Sequence, residues 1–191
     1  GSGRQPGSSF KTFTLVAAIE QGIDPNTMID ASATAKLPGW EVSNINHTNY
    51  GTKSIADAFA VSSNTAFARL ILSIGPDKVV DVAKRMGITS PLTATGSLTL
   101  GSESVTPLEM ANAYATIANG GTHYDPECVE RIVDRNGSIV VDNSAPKGER
   151  AISAEVAHAA TEVMKGVITK GTGKAAALSN GQVSAGKTGT S

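Results

Sequence analysis

Apolar residues recur at helical spacing in several windows of the chain, separated by glycine, proline and short polar runs. Residues 8 to 21 carry Phe10, Phe13, Ala17 and Ala18 on one stripe, between Pro6-Gly7 and Gly22, which predicts a buried helix. From Asp24 to Tyr50 the pattern lapses into Pro, Asn, Thr and Gly around the lone Trp40, and an irregular surface segment is expected. The helical period resumes with Ile55, Ala58 and Phe59, and again with Phe67, Leu70, Ile71 and Ile74. Between them stands Ser62-Ser63-Asn64. These residue types compete for backbone hydrogen bonds and favour caps and turns, so two helices meeting at a polar elbow are predicted.

Further along, Pro76-Asp77 opens a helix that Gly87 closes. Thr106-Pro107-Leu108-Glu109 combines a capping box with proline at the first helical position, and Gly120-Gly121 stops that helix. Cys128 to Asp134 and Ser138 to Val141 are β-branched runs around Arg135-Asn136-Gly137, a hairpin signal. Ser153 caps a helix reaching about Ile168, followed by Gly171-Thr172-Gly173, a short alanine helix, and a candidate strand over Val183 to Ser191. The expected class is α+β, predominantly helical, with a small β-hairpin.

Composition narrows the function. The chain has 191 residues, within the ~100 to 200 of a single domain, and 16 basic against 17 acidic groups. That balance provides no electrostatic footprint for nucleic acid or an anionic membrane. The single Cys128 excludes an internal disulfide and a cysteine-based zinc site, and is read as a small buried hydrophobe. His47, His123 and His158 lack ligand spacing, so neither a metal nor a cofactor is expected, and His158 is placed on the outer face of its helix. No apolar run approaches the ~18 to 20 residues of a membrane span.

Three short segments carry the candidate chemistry. Ser8-Ser9-Phe10-Lys11 sits at the start of the first helix, where residues three apart share a face. Lys11 can take the Ser8 proton if burial or nearby positive charge keeps its amine neutral, and Phe10 and Phe13 offer an apolar setting. Backbone N–H groups at the helix start supply part of an oxyanion hole. A second S-x-x-K, Ser144 to Lys147, falls in a loop, so this pattern alone is not decisive. The other segments are Ser62-Ser63-Asn64 at the elbow and Lys187-Thr188-Gly189-Thr190 near the end. Taken singly, Asn64 reads more readily as a helix cap and Lys187 as a solvated surface charge.

In this order and context the three segments resemble the S-x-x-K, S-x-N and K-T-G motifs of the penicillin-binding transpeptidases. The likeness extends to Arg4-Gln5-Pro6-Gly7, to Val105 through Ala115, and to Gly171-Thr172-Gly173, and is similar to the bifunctional high-molecular-weight branch. The resemblance implies a serine D,D-transpeptidase that cross-links peptidoglycan stem peptides. Ser8 would attack the carbonyl of the penultimate D-Ala, with Lys11 as general base, Ser62 relaying the proton and Asn64 orienting Lys11 and the substrate amide. Lys187, Thr188 and Thr190 would hold the terminal carboxylate, Gly189 would leave room for the substrate, and the N–H groups of Ser8 and Thr190 would form the oxyanion hole. The implied partners are a D-Ala-D-Ala donor, an amine acceptor and β-lactams acylating the same serine, outside the cytoplasm. The membrane would be reached only through an anchor absent from this chain.

The resemblance also implies that residues 1–191 form a partial transpeptidase domain, from just before S-x-x-K to just after K-T-G. It would contain the helical subdomain and only part of the usual antiparallel sheet. Val183 to Ser191 is then expected to be frayed or paired with something else, another chain included. Two other readings share the motifs. A non-enzymatic β-lactam receptor is one, and a serine β-lactamase is the weaker, because Glu109 and Asn112 lie three apart within a helix and Ser63 replaces the usual Asp. Gly181 to Thr188 also matches a phosphate-binding loop in form, but lacks the strand before it and the helix after it.

Overall fold

The computed structural model describes residues 2–190. A 3₁₀ turn over Gly7–Phe10 continues directly into α1 (Lys11–Glu20). Every residue of α1 from Lys11 to Ala18 is buried, because the helices over Asn64–Ile74, Pro76–Arg85 and Ala154–Thr169 surround it. Its polar members are satisfied internally, as a buried helix requires. Thr12 Oγ1 lies 2.8 Å from the Tyr114 hydroxyl, and Thr14 donates to Thr99 Oγ1 at 2.7 Å.

The segment expected to be irregular contains three short strands. These are β1 (Met28–Asp30), β2 (Thr34–Leu37) and β3 (Trp40–Ser43), and β4 (Thr52–Ser54) follows. β2 and β3 form a hairpin that pairs Ala35 with Val42, and β1 pairs antiparallel with β4. Ala35, Val42 and Ala68 make a small separate core covered by Trp40. Period-2 alternation was present but spans only four residues per strand, each with a single buried position, too little to stand out from the polar background.

The helical predictions fare better. α2 (Ile55–Ala60) and α3 (Asn64–Ile74) meet at the elbow, α4 (Pro76–Arg85) follows, and Gly87 at φ 107° closes it. α5 (Pro107–Ala118) has the full capping box: Glu109 N–H donates to Thr106 Oγ1, and Thr106 N–H donates to the Glu109 carboxylate. The pairs β5 (Thr122–His123) with β8 (Glu149–Arg150) and β6 (Arg131–Val133) with β7 (Ile139–Asp142) are both antiparallel. The β6–β7 pair is the predicted hairpin, turned by Gly137 at φ 85°, although its first strand begins three residues after Cys128. α6 (Ala154–Thr169) is capped by Ser153 and packs on α1, α2 and α5. His158 lies on its exposed face.

The architecture is thus α+β and mainly helical, with strands only in small antiparallel pairs among the described residues. The four phenylalanines Phe10, Phe13, Phe59 and Phe67 anchor one continuous core, each at most 1% exposed. Two expectations need correction. Cys128 is exposed, because it precedes a hairpin that projects from the core instead of packing into it. Val183 to Thr190 contains no strand; Ser191 lies outside the described residues.

Glu109 does more than cap α5. Its carboxylate also accepts from the N–H and hydroxyl groups of both Thr89 and Ser90, at 2.6 to 2.8 Å. Burial pushes its pKa up, but the bonds from Thr106 and Ser90 outweigh it and hold the group well below the usual carboxylate range. Because the folded-state value is depressed, its stabilising contribution is present above the unfolded value of about 4.3 and is lost as pH falls toward the folded value. Glu109→Ala is expected to cost about 2 kcal/mol in urea denaturation at pH 7, and less at pH 3.

Candidate active site

Ser8 lies within the 3₁₀ turn over Gly7–Phe10, and Lys11 directly follows it. In a 3₁₀ helix residues i and i+3 eclipse one another, so the Lys11 side chain folds back under Ser8 more directly than in an α-helix. Lys11 is 0% exposed. Its Nζ lies 2.8 Å from Ser8 Oγ, 2.8 Å from Asn64 Oδ1, 2.9 Å from the Ser62 carbonyl and 3.2 Å from Ser62 Oγ. All four are neutral oxygens. Burial first, and the nearby Lys187 charge second, hold the Lys11 pKa well below the ordinary lysine value.

The elbow supplies three of those oxygens through a strained turn. Ser62 has φ 59°, in the left-handed region that costs a residue with a Cβ roughly 1 to 2 kcal/mol. That conformation points both its carbonyl and its hydroxyl at Lys11. The following residue, Ser63, caps α3 by accepting from Ala66 N–H. Asn64 is therefore not the cap, and its side chain is free to face Lys11 and to donate to the Ser43 carbonyl at 3.1 Å.

Lys187 approaches Ser62 from the opposite side. Its Nζ is 2.8 Å from Ser62 Oγ and 5.5 Å from the centre of the Phe59 ring, a cation–π contact. Desolvation lowers its pKa to about 8. A continuous polar chain therefore runs Ser8, Lys11, Ser62, Lys187.

Close backbone approach holds the K-T-G segment in place. A Cβ on Gly189 would lie 2.6 Å from the Pro6 carbonyl oxygen, so this glycine is required by the contact with the turn that carries Ser8. On that face the Pro6 backbone excludes any side chain at Gly189. Gly7, at φ 58°, is wedged between Thr190 and Gly101 in the same way. Gly186 N–H also donates to the Met164 carbonyl at 3.3 Å. Side-chain and backbone contacts to neighbouring elements, not sheet pairing, thus seat residues 186–190.

A cavity of about 360 Å³ opens above these groups, with Ser8, Ser62, Thr188 and Thr190 on its walls. Tyr50 forms part of the rim, whereas Trp40 belongs to the small β2–β3 core. All eight residues singled out in the three motifs gather here. The second S-x-x-K does not assemble: Ser144 donates to Asp142 Oδ1, and Lys147 lies on the exposed loop. Glu109 and Asn112 line a different cavity, of about 350 Å³.

Three participants carried little sequence signal. Thr172 lines the cavity and its Oγ1 lies 2.6 Å from Thr188 Oγ1; only the flanking glycines marked it. Tyr114 donates to the Ser9 carbonyl at 2.9 Å, and burial raises its pKa to about 12. Asn44 is 3% exposed and organises the elbow: its amide donates to the carbonyls of Ala31, Ser32 and Thr48, and its oxygen accepts from Ser63 Oγ and Thr65 N–H.

A half-buried serine beside a buried lysine, joined by a second serine and an asparagine at a helix elbow and by a cationic K-T-G segment, thus lies at one cavity of an α+β, mainly helical fold. The chain matches the penicillin binding protein transpeptidase domain over residues 2–191, and it belongs to that family. It is 34% identical over 207 residues to penicillin-binding protein 1A of Mycobacterium tuberculosis, covering 99% of this chain and 25% of that protein. Penicillin-binding protein 1A of Aquifex aeolicus is 33% identical over 192 residues, covering 98% and 26%. The chain thus spans about a quarter of the length of these relatives. Among solved structures, the penicillin-binding protein PonA1 of M. tuberculosis superposes with a TM-score of 0.89 at 34% identity, over 100% of this chain and 54% of that one. The D,D-transpeptidase domain of a peptidoglycan glycosyltransferase from Eggerthella lenta gives 0.87 at 30%, over 99% and 54%.

Asn44→Ala removes three donated and two accepted hydrogen bonds at once and leaves the buried Thr65 N–H without its acceptor, while the Ala31 carbonyl keeps Tyr50 N–H and the Ser32 carbonyl keeps the Thr65 hydroxyl. It is expected to destabilise the chain by about 3 kcal/mol in chemical denaturation, well above the ~1 kcal/mol of a single hydrogen bond.

Proposed function

We propose that the chain carries the acyl-transfer centre of a serine D,D-transpeptidase, acting on peptidoglycan stem peptides outside the cytoplasm and acylated by β-lactams at Ser8. The observation that carries this reading is the fully buried Lys11 amine, 2.8 Å from Ser8 Oγ and surrounded by neutral oxygens. A buried amine without a carboxylate partner favours its neutral form, and a neutral amine has the lone pair a general base needs. PonA1 has also been solved in complex with penicillin V, and penicillin-binding protein A of M. tuberculosis as an imipenem acyl-enzyme.

In the proposed reaction Ser8 Oγ attacks the carbonyl of the penultimate D-Ala while its proton passes to Lys11 Nζ. The proton then moves through Ser62 Oγ to the departing amine nitrogen as the C–N bond breaks, leaving the acyl group on Ser8. An amine from a second stem peptide attacks that ester by the reverse proton route. The backbone N–H groups of Ser8 and Thr190 stabilise the oxyanion, and Asn64 orients Lys11. Lys187, with the Thr188 and Thr190 hydroxyls, holds the donor's terminal carboxylate. We read residues 1–191 as part of a larger transpeptidase domain, consistent with their covering about half of the solved chains. The β-lactamase alternative has little support, because every oxygen of Glu109 is already engaged and it faces another cavity.

Intact mass after incubation with benzylpenicillin should show one covalent adduct on the wild type and none on Ser8→Ala. Lys11→Ala should slow acylation about 10²- to 10⁴-fold. An adduct that persists on Ser8→Ala contradicts the assignment, and turnover of a D-Ala-D-Ala thioester separates an enzyme from a receptor. The acylation rate should rise with pH as Lys11 loses its proton, well below the ordinary lysine range, and fall above about pH 8 as Lys187 is neutralised.

A further inference from the structure

The turn after α6 reaches from one motif to another. Gly171 is packed so tightly on the end of α2 that a Cβ there would stand 2.1 Å from the Ala60 carbonyl oxygen. Thr172 N–H donates to that same carbonyl at 3.0 Å, two residues before Ser62, and Gly173 N–H donates to Val167 at 2.9 Å. The backbone of Thr172 is thereby fixed to the elbow. Its side chain, exposed at the cavity wall, faces K-T-G, with Oγ1 2.6 Å from Thr188 Oγ1.

That contact has little structural use. A hydroxyl pair open to solvent adds almost nothing to stability, because water replaces it at small cost. Its consequence is orientation. Thr188 Oγ1 has two acceptor sites and one proton. Lys187 Nζ approaches one acceptor site at 3.5 Å, and a Thr172 O–H donating to the other leaves the Thr188 proton directed into the cavity.

We propose that Thr172 is a positioning and specificity-determining residue: its hydroxyl orients that of Thr188 so that the cavity presents an O–H donor to a ligand carboxylate. The proposal rests on the transpeptidase reading above, since it assumes that the ligand's carboxylate lies beside K-T-G. It predicts an effect on recognition of carboxylate-bearing acyl donors and none on the chemistry at Ser8, because the Thr172 hydroxyl makes its hydrogen bond to Thr188 and none to Ser8, Lys11 or Asn64 among the described residues. Thr172→Val keeps the size and branching of the side chain and removes only the hydroxyl.

The test compares acylation by benzylpenicillin and by its methyl ester, which lacks the free carboxylate, on the wild type, Thr172→Val and Thr172→Ser, with saturation kinetics separating binding from the acylation step. Thr172→Val should weaken apparent binding of benzylpenicillin about tenfold, the size of one charge-assisted hydrogen bond, and leave the limiting acylation rate unchanged. The ester should react equally with wild type and Thr172→Val, Thr172→Ser should restore benzylpenicillin binding, and the thermal midpoint should not move. An equal loss with both probes, a loss confined to the limiting rate, or no loss at all overturns the proposal. Failure of the wild type itself to be acylated overturns the transpeptidase reading, and this inference with it, so the two failures are distinguishable.

Discussion

Lys11 has its amine in a place where an ammonium ion is poorly accommodated. Taking a charge out of water costs several kcal/mol unless an opposite charge compensates, and the oxygens within reach of Nζ are two hydroxyls, an amide and a carbonyl. The remaining way to lower the cost is to lose the proton, which turns burial into basicity. Much of the surrounding structure serves this arrangement. α1 is enclosed on all sides, so Lys11 has no route to solvent, and the elbow between α2 and α3 turns through a left-handed serine to aim two oxygens inward. Lys187, near the other end of the chain, adds a second positive charge beyond Ser62.

The three motif segments come together without a continuous sheet among the described residues. Backbone packs directly on backbone instead, at Gly7 against Thr190 and Gly101, at Gly189 against Pro6, and at Gly171 against Ala60. Each contact leaves no room for a Cβ, so the glycines of G-S-x-x-K, K-T-G and G-T-G share one physical role. They let the nucleophile's turn, the cationic segment and the elbow sit within a few ångströms of each other. Asn44 performs the complementary polar task, tying the β3 end to the elbow through its amide.

The sequence disclosed the helices because their signals are redundant. Thr106, Pro107 and Glu109 each mark the start of α5, and Gly120-Gly121 marks its end. The strands before the elbow were hidden because each is four residues or fewer with at most one buried position, where polar composition outweighs alternation. Cys128 was misplaced because a residue's average preference for burial says nothing about a hairpin that stands clear of the core. Motif order singled out eight residues that the fold gathers near Ser62, whereas Asn44 was not legible and Thr172 was marked only as the middle of Gly171-Thr172-Gly173. Both act through contacts with residues far away in the chain, which no local pattern reveals. For Gly189 the folded chain adds a reason the sequence did not show, the Pro6 carbonyl beside it.

The protonation state of Lys11 is the centre of this account, and nitrogen-detected NMR of selectively labelled lysine reads it directly. Titrated from pH 5 to 11, the Lys11 resonance is expected to change from ammonium to free amine with a midpoint well below the ordinary 10.4 of lysine. A Lys11 midpoint in the ordinary lysine range would contradict the account, because a permanently charged Lys11 has no lone pair with which to take the Ser8 proton.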